Sequence, residues 1–200
     1  MGVAHAEQPP LRLVRVGALM TIVSGGLAVA IPLLHRGFLL ANSELAAMAM
    51  LVVGVYVFIV VSLLLVPIGM LGFHALQKRN YGLIGHTGFW TSVISSMMVA
   101  TGLTGYLRWE GLRLLWLVTA GGGLGLMVGF ILYGVATLQA RILPPWCGIA
   151  FMVALPAAIA LFWIRPWLGL GQGTSTTSIL SGLAWLGLGY NLWTRRRRSR

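Results

Sequence analysis

Six long apolar stretches, separated by short joints that carry most of the basic residues, fill nearly all of this 200-residue chain. A bilayer core requires about 20 predominantly apolar residues per helix. The stretches reach that length at residues 16–34, 45–73, 83–107, 114–136, 146–164 and 175–193. Unpaired backbone groups are not tolerated in hydrocarbon, and the stretches lack the alternating pattern of a barrel strand. We therefore predict an all-α integral membrane protein with six transmembrane helices in a single membrane domain, residues 1–200.

The composition supports this class of protein. Hydrophobic residues make up 58% of the chain and charged residues only 8%. Such a balance leaves too little polar surface to cover a water-soluble domain. The lipid bilayer is therefore the first predicted partner.

The basic residues predict the orientation, because loops rich in Lys and Arg stay on the cytoplasmic side. In a six-span chain one side collects ten of the fourteen basic residues and the other side four. The ten are Arg12, Arg15, Lys78, Arg79, Arg141, Arg195, Arg196, Arg197, Arg198 and Arg200. We expect both termini to be cytoplasmic, in a bacterial-type inner (plasma) membrane, with residues 194–200 as a basic cytoplasmic tail.

The first apolar stretch has a second interpretation. Arg12 and Arg15 precede an apolar run that contains Ala28-Val29-Ala30, a small-residue pattern typical of signal-peptidase sites. Cleavage there would leave five spans. The run continues to Leu34 and reaches membrane-spanning length, which favours a retained helix.

The second and fourth stretches end in a shared pattern, G-x-x-x-L-Q-x-R, at Gly72–Arg79 and Gly134–Arg141. Gly189–Arg196 is a degenerate third copy. The repeat predicts three parallel two-helix hairpins, related about an axis along the membrane normal. Alternatively, every inward-going helix ends in small, amphipathic and then basic residues for topological reasons.

Small residues recur every fourth position in two stretches, which is typical of helix packing in lipid because it lets backbones approach closely. We predict that these two faces serve helix packing and are able to pack on each other. The residues are Gly121, Gly125, Gly129, Ala150, Ala154 and Ala158. Lining of a pore by the glycine run is the alternative.

The third stretch is the most polar, and Thr87, Thr91 and Ser95 share one helical face. Hydroxyls in membrane helices commonly bond to helix carbonyls or to neighbouring helices. The same face is also a candidate polar path for a small solute.

Catalytic chemistry has few candidate residues. The chain has no Asp, and its three acidic residues are Glu7, Glu44 and Glu110, all outside the apolar stretches. This excludes paired-carboxylate chemistry and a Ser-His-Asp triad. Cys147 is the only cysteine, so no Cys-x-x-Cys or disulfide framework exists. We predict no enzyme activity, no metal site and no cofactor.

His74 and His86 are the candidate ligand-binding residues, because they flank the basic joint between the second and third stretches. An imidazole can ligate haem iron or bind a quinone. The alternative is that both are solvated at the membrane interface and bind nothing.

The arginines of the tail are predicted to contact anionic lipid, each contributing about 1 kcal/mol near the surface. They are Arg195, Arg196, Arg197, Arg198 and Arg200. A basic anchor explains the run without nucleic-acid binding, which we do not expect.

These patterns predict a non-catalytic polytopic inner-membrane protein that acts as an accessory or structural subunit of a membrane complex. Its expected partner is another membrane protein or a second copy. The alternatives are a small-solute transporter or channel and a haem- or quinone-binding redox subunit. The Leu138–Trp146 stretch resembles inner joints of small bacterial multi-pass proteins, and this resemblance implies no chemistry.

Overall fold

The computed structural model describes residues 11–39, 56–108, 113–164 and 175–198, all of which lie in helices or in the turns that join them. The described part contains six helices, and the all-α prediction is confirmed. They are α1 (Leu11–Leu39), α2 (Tyr56–Gln77), α3 (Gly82–Arg108), α4 (Arg113–Ala140), α5 and α6 (Ser175–Arg198). Helix α5 consists of Pro145–Ile149, a π-helical turn at Ala150–Ala154, and Leu155–Ile164.

Three of these helices are long and apolar enough to cross a membrane, at Arg12–Ala30, Val60–Gln77 and Leu114–Ala140. Of the six predicted spans, three are thus supported as candidate membrane-spanning helices. The apolar part of α5, Pro145–Leu161, is shorter. In α3 the hydroxyl, glycine and histidine residues lower the hydropathy, and in α6 the Ser/Thr start and the arginines do so. Residues 45–55 of the second predicted span lie outside the described residues.

The helices form a closed ring in chain order. Each helix packs against the next one along the chain, and α6 packs against α1. The most extensive contacts join α3 to α4 and α6 to α1. A ring of neighbours leaves one shared interior, which side chains from several helices must fill.

Aromatic side chains fill this interior. Phe151, on the π-helical turn of α5, is fully buried and contacts rings from three other helices. Its ring centroid lies 5.4 Å from Phe73, 5.2 Å from Tyr133 and 5.9 Å from Trp185. These pairs are edge-to-face, the arrangement that the ring quadrupoles favour.

Glycines set the closest helix contacts. A Cβ on Gly17 of α1 would lie 2.7 Å from the backbone N of Gly72 on α2. A Cβ on Gly25 would lie 2.7 Å from the carbonyl O of Gly182 on α6. Since backbone atoms cannot move aside cheaply, α1 holds both neighbours only with glycine at these positions.

Hydroxyl groups beside these glycines are satisfied within the helices. Thr21 donates to the carbonyl of Gly17 at 2.7 Å, and Ser92 donates to the carbonyl of Gly88 at 2.9 Å. Thr21 lies against Gly69, as Ser92 lies against Gly129. The α1–α2 and α3–α4 hairpins therefore share one packing pattern, a Gly-x-x-x-Ser/Thr helix against a glycine.

The glycines matched by the sequence repeat occupy different contacts. Gly72 faces Gly17 on the preceding helix, whereas Gly134 faces Gly148 on the following helix. The matched glutamines differ too, since Gln77 is fully buried and Gln139 is exposed. Duplication of a hairpin stays a prediction.

We expect Gly17→Ala to lower the midpoint of thermal unfolding, because the added methyl group meets the backbone of α2. Overpacking of this kind costs about 1–3 kcal/mol. Gly26→Ala is the matched control on the same helix, since a Cβ there meets no described atom within 4 Å. Alanine at that position should raise or preserve stability. Equal midpoints for both variants, measured in one detergent, would contradict the glycine contact.

Candidate functional site

The joint between α2 and α3 is a tight turn. Helix α2 ends at Gln77, and the amide of Asn80 donates to the carbonyl of Gln77 at 2.8 Å. Gly82 then starts α3 with a φ of +60°, a left-handed conformation that glycine adopts without strain. The turn brings Tyr81 back over the first turn of α3, where its ring lies against Gly85. A side chain at Gly85 would occupy the space of this ring.

Tyr81 links the two helices through a hydrogen bond between its hydroxyl and Nδ1 of His74. Burial raises the pKa of Tyr81 to about 12, so its phenol stays protonated at neutral pH. The direction of this bond depends on the imidazole tautomer, since a phenol hydroxyl can donate or accept. The other imidazole nitrogen, Nε2, takes no part in it.

His86 lies beside His74, although the two residues belong to different helices. Their ring centroids are 5.7 Å apart. His74 also stacks on the buried ring of Phe89 at 4.2 Å, with an interplanar angle of 32°. The indole N–H of Trp90 donates to Nε2 of His86 at 3.1 Å. The two histidines predicted as candidate ligands thus share one aromatic cluster.

Few side-chain atoms in this cluster are available as metal ligands. Nδ1 of His74 and Nε2 of His86 are each engaged in a hydrogen bond. In the part of the chain that the structure describes, no three His, Cys, Asp or Glu residues come together as metal ligands. The free imidazole nitrogens are suited to hydrogen bonding.

Two buried polar side chains next to this cluster have no hydrogen-bond partner. Gln77, one turn after His74, is fully buried, and neither its amide N nor its amide O is paired. Tyr133 on α4 is also fully buried with an unpaired hydroxyl, and its ring lies 5.9 Å from that of Tyr81. Each unpaired buried group costs about 1–3 kcal/mol. Such groups require a water, a ligand or a functional explanation.

The helix periodicity explains why Gln77 is buried. Val66, Met70, Phe73 and Gln77 recur at intervals of three or four residues, and all four are buried. They form one face of α2. Gln77 therefore continues a core-facing stripe at its last position, where an apolar residue is expected.

The three residues of the predicted polar face of α3 differ in their exposure. Thr87 is exposed and donates to the carbonyls of Leu83 and Ile84, at 3.1 Å and 2.9 Å. Thr91 is half-buried and Ser95 is buried. Ser95 lies against α4, and its neighbour on that interface is Ser92.

The glycine face of α4 meets α3. A Cβ on Gly125 would contact only Ser95 within 4 Å, and the nearest atoms to one on Gly129 belong to Ser92. A Cβ on Gly121 would meet no described atom, whereas one on Gly122 would lie 3.0 Å from the carbonyl of Ser95. The contact register therefore runs through Gly122, which the four-residue spacing does not include.

The alanines of α5 lie elsewhere. Ala150 and Ala154 bound the π-helical turn and are half-buried, and Ala158 is buried. We predicted that the glycine face is able to pack on these alanines. Gly125 and Gly129 instead lie against Ser95 and Ser92 of α3. Helices α4 and α5 instead approach through Gly134 and Gly148.

The arginine tail is described only in part. Helix α6 continues to Arg198, and Arg200 lies outside the described residues. The side chains of Arg195, Arg196, Arg197 and Arg198 also lie outside the described part. The prediction that they contact anionic lipid stays a prediction.

Sequence reasoning found His74 and His86 but missed Gln77, Tyr81 and Tyr133. A glutamine that continues the spacing of Val66, Met70 and Phe73 is a signal that the sequence does carry. Tyr133 carries no such signal, because a tyrosine inside an apolar stretch is common at helix interfaces.

Comparisons with protein-family models, with curated proteins and with solved structures give no match for this chain. The interpretation of the site therefore rests on its own geometry.

Tyr81→Phe tests the hydrogen bond to His74. Its loss should lower stability by about 1 kcal/mol at neutral pH, while the ring contact with Tyr133 is kept. The pKa of Tyr81 is raised from 10.0 in the unfolded chain to about 12 in the fold. Its contribution is therefore fully present below about pH 10 and is lost as the pH rises through about 12.

The measurement is the midpoint of thermal unfolding for wild type and Tyr81→Phe across this pH range. We expect the gap between the two proteins to close between pH 10 and 12. A gap that is absent at neutral pH, or that widens in alkali, would contradict the assignment.

Proposed function

We propose that this chain is a non-catalytic, six-span inner-membrane protein that serves as an accessory or structural subunit of a larger membrane complex. Both termini are cytoplasmic, as the excess of basic residues on one side supports. Exposed Lys78, Arg79 and Arg141 lie at the helix ends on that side and favour contact with anionic lipid, together with the arginine tail.

Chain connectivity supports a fourth crossing, by α3. Helices α2 and α4 are apolar enough to span, and α3 follows α2 after a turn of only four residues, Lys78–Tyr81. Such a short turn obliges α3 to run back antiparallel, packed along α4. Its 27 residues extend about 40 Å, which is sufficient to cross the hydrocarbon core.

The exposed face of α3 is the observation that carries the subunit role. Polar or amphipathic residues lie on it among the exposed apolar residues Ile94, Met97 and Met98. They are His86, Thr87, Trp90, Thr101 and Thr104. Polar side chains of membrane helices are found mostly at contacts with neighbouring helices or water. A partner helix along α3 would remove this face from lipid.

A transporter is less well supported. Ser92 and Ser96 donate to carbonyls of their own helix at 2.9 Å, and Ser95 packs on Gly125. The bonds of Ser92 and Ser96 within their own helix, and the packing of Ser95, favour a role in helix contacts over a hydrated path.

Photo-crosslinking in the native membrane tests the subunit role. We expect a photoreactive residue at Thr87 or Thr101 to give a discrete adduct with a different membrane protein. The matched control is Leu124 on α4, which is 65% exposed and lies on an apolar face, and it should give lipid adducts only. Protein adducts absent at both α3 positions, or an adduct with the mass of two copies of this chain, would contradict an accessory role.

A further inference from the structure

We propose that the residues around the α2–α3 joint bind the headgroup of a neutral, membrane-soluble quinone. The binding residues are His74, Gln77 and Tyr133, with Tyr81 as the positioning residue. This inference goes beyond the proposed subunit role and does not depend on it.

The first argument is the unsatisfied polar atoms. Gln77 contributes an amide N and an amide O, and Tyr133 contributes a hydroxyl, all buried without a partner. They come from two helices that meet around shared aromatic rings. Tyr133 packs on Tyr81, which bonds to His74 one turn before Gln77, and Phe73, on the same face of α2 as Gln77, packs like Tyr133 on Phe151. A protein rarely keeps several unpaired groups in one buried place unless something else pairs with them.

The second argument is the charge of the site. The side chains that form it are an amide, two phenols and an imidazole that is hydrogen-bonded through Nδ1 to Tyr81. No carboxylate occurs among the described residues, and the nearby cations Lys78 and Arg79 are exposed outside the cluster. The site is therefore built for a neutral ligand, and a phosphate or carboxylate would find no buried cation to pair with.

The third argument is the position of the site in the bilayer. Gln77 is the last residue of a candidate span, so the site lies at the edge of the hydrocarbon core. A ligand reaches this depth from within the membrane. Flat rings are already part of the cluster, with His74 stacked on Phe89 at 4.2 Å and Trp90 beside Phe89 at 5.2 Å.

A quinone headgroup meets these conditions. It is a flat neutral ring with carbonyl oxygens that accept hydrogen bonds, and it dissolves in the bilayer through its tail. The available donors are the amide of Gln77 and the hydroxyl of Tyr133, and Nε2 of His74 is a further nitrogen outside the bond to Tyr81. The ester carbonyls of a phospholipid offer the same acceptors, so the test must separate these two sources.

The π-helical turn of α5 adds an independent observation. Such turns are frequent at functional sites. This one carries Phe151, whose ring packs on Tyr133 at 5.2 Å. The turn therefore carries the ring against which the Tyr133 ring packs.

Binding is measured by calorimetry on the full chain in phosphatidylcholine nanodiscs, with a short-chain benzoquinone as the titrant. We expect saturable binding to wild type. Gln77→Leu and Tyr133→Phe should each bind about tenfold more weakly, the effect of one lost hydrogen bond. Gln139→Leu, which changes the exposed glutamine of the repeat, and Tyr190→Phe, which changes an exposed tyrosine, are the matched controls and should bind like wild type.

The unfolding temperature of the ligand-free variants separates binding from a structural role. Removing an unpaired buried polar group should leave the temperature unchanged or raise it. A drop in both variants would mean that the groups stabilise the fold, and it would overturn the assignment. If Gln77→Leu fails to fold, Tyr133→Phe provides the same test with a single atom removed.

Two further outcomes overturn the proposal. One is the absence of saturable quinone binding to wild type, or equal binding to both site variants. The other combines three results. Wild type binds no quinone, its unfolding temperature is higher in ester lipids than in ether lipids, and Gln77→Leu unfolds at the same temperature in both lipids. That result would assign the site to phospholipid carbonyls.

Discussion

Close contact between helix backbones is the constraint on which this structure depends. In lipid, apolar side chains gain nothing by leaving one apolar surface for another, so helices associate through tight packing and hydrogen bonds. Gly17 against Gly72 and Gly25 against Gly182 bring α1 into backbone contact with both of its neighbours. These contacts close the ring between the first and last helices, and the ring in turn creates the interior that Phe151 and its neighbours fill.

Buried hydroxyls in the helix contacts form hydrogen bonds, whereas buried polar groups next to the α2–α3 joint do not. Thr21 and Ser92 pair with carbonyls on their own helices, so they bury no unpaired atom. Gln77 and Tyr133 bury three unpaired atoms next to the residues of this joint. Ser62 and Asn191 each bury one unpaired oxygen as well, so the joint differs in having several such atoms, and departures of this kind are expected at functional sites.

The fold was largely accessible from sequence, and the site only in part. Length and hydropathy predict the helices because the bilayer allows almost no other structure. The contact register is harder, since four-residue spacing selects Gly121, whereas the structure uses Gly122, Gly125 and Gly129. His74 and His86 stand out as rare residues beside a basic joint, but their partner Tyr81 depends on the shape of the turn. Tyr133 is remote in sequence and joins the site only through the packing of α4.

The central claim is that α3 crosses the membrane although its own hydropathy falls short of a span. Cysteine accessibility tests this directly in a Cys147→Ala background. A membrane-impermeant maleimide should label Glu110→Cys, beyond the end of α3, in intact cells, and should label Asn80→Cys, before its start, only after permeabilisation. Labelling of both positions under the same condition would place the two ends of α3 on one side of the membrane and contradict the six-helix ring as a membrane-spanning unit.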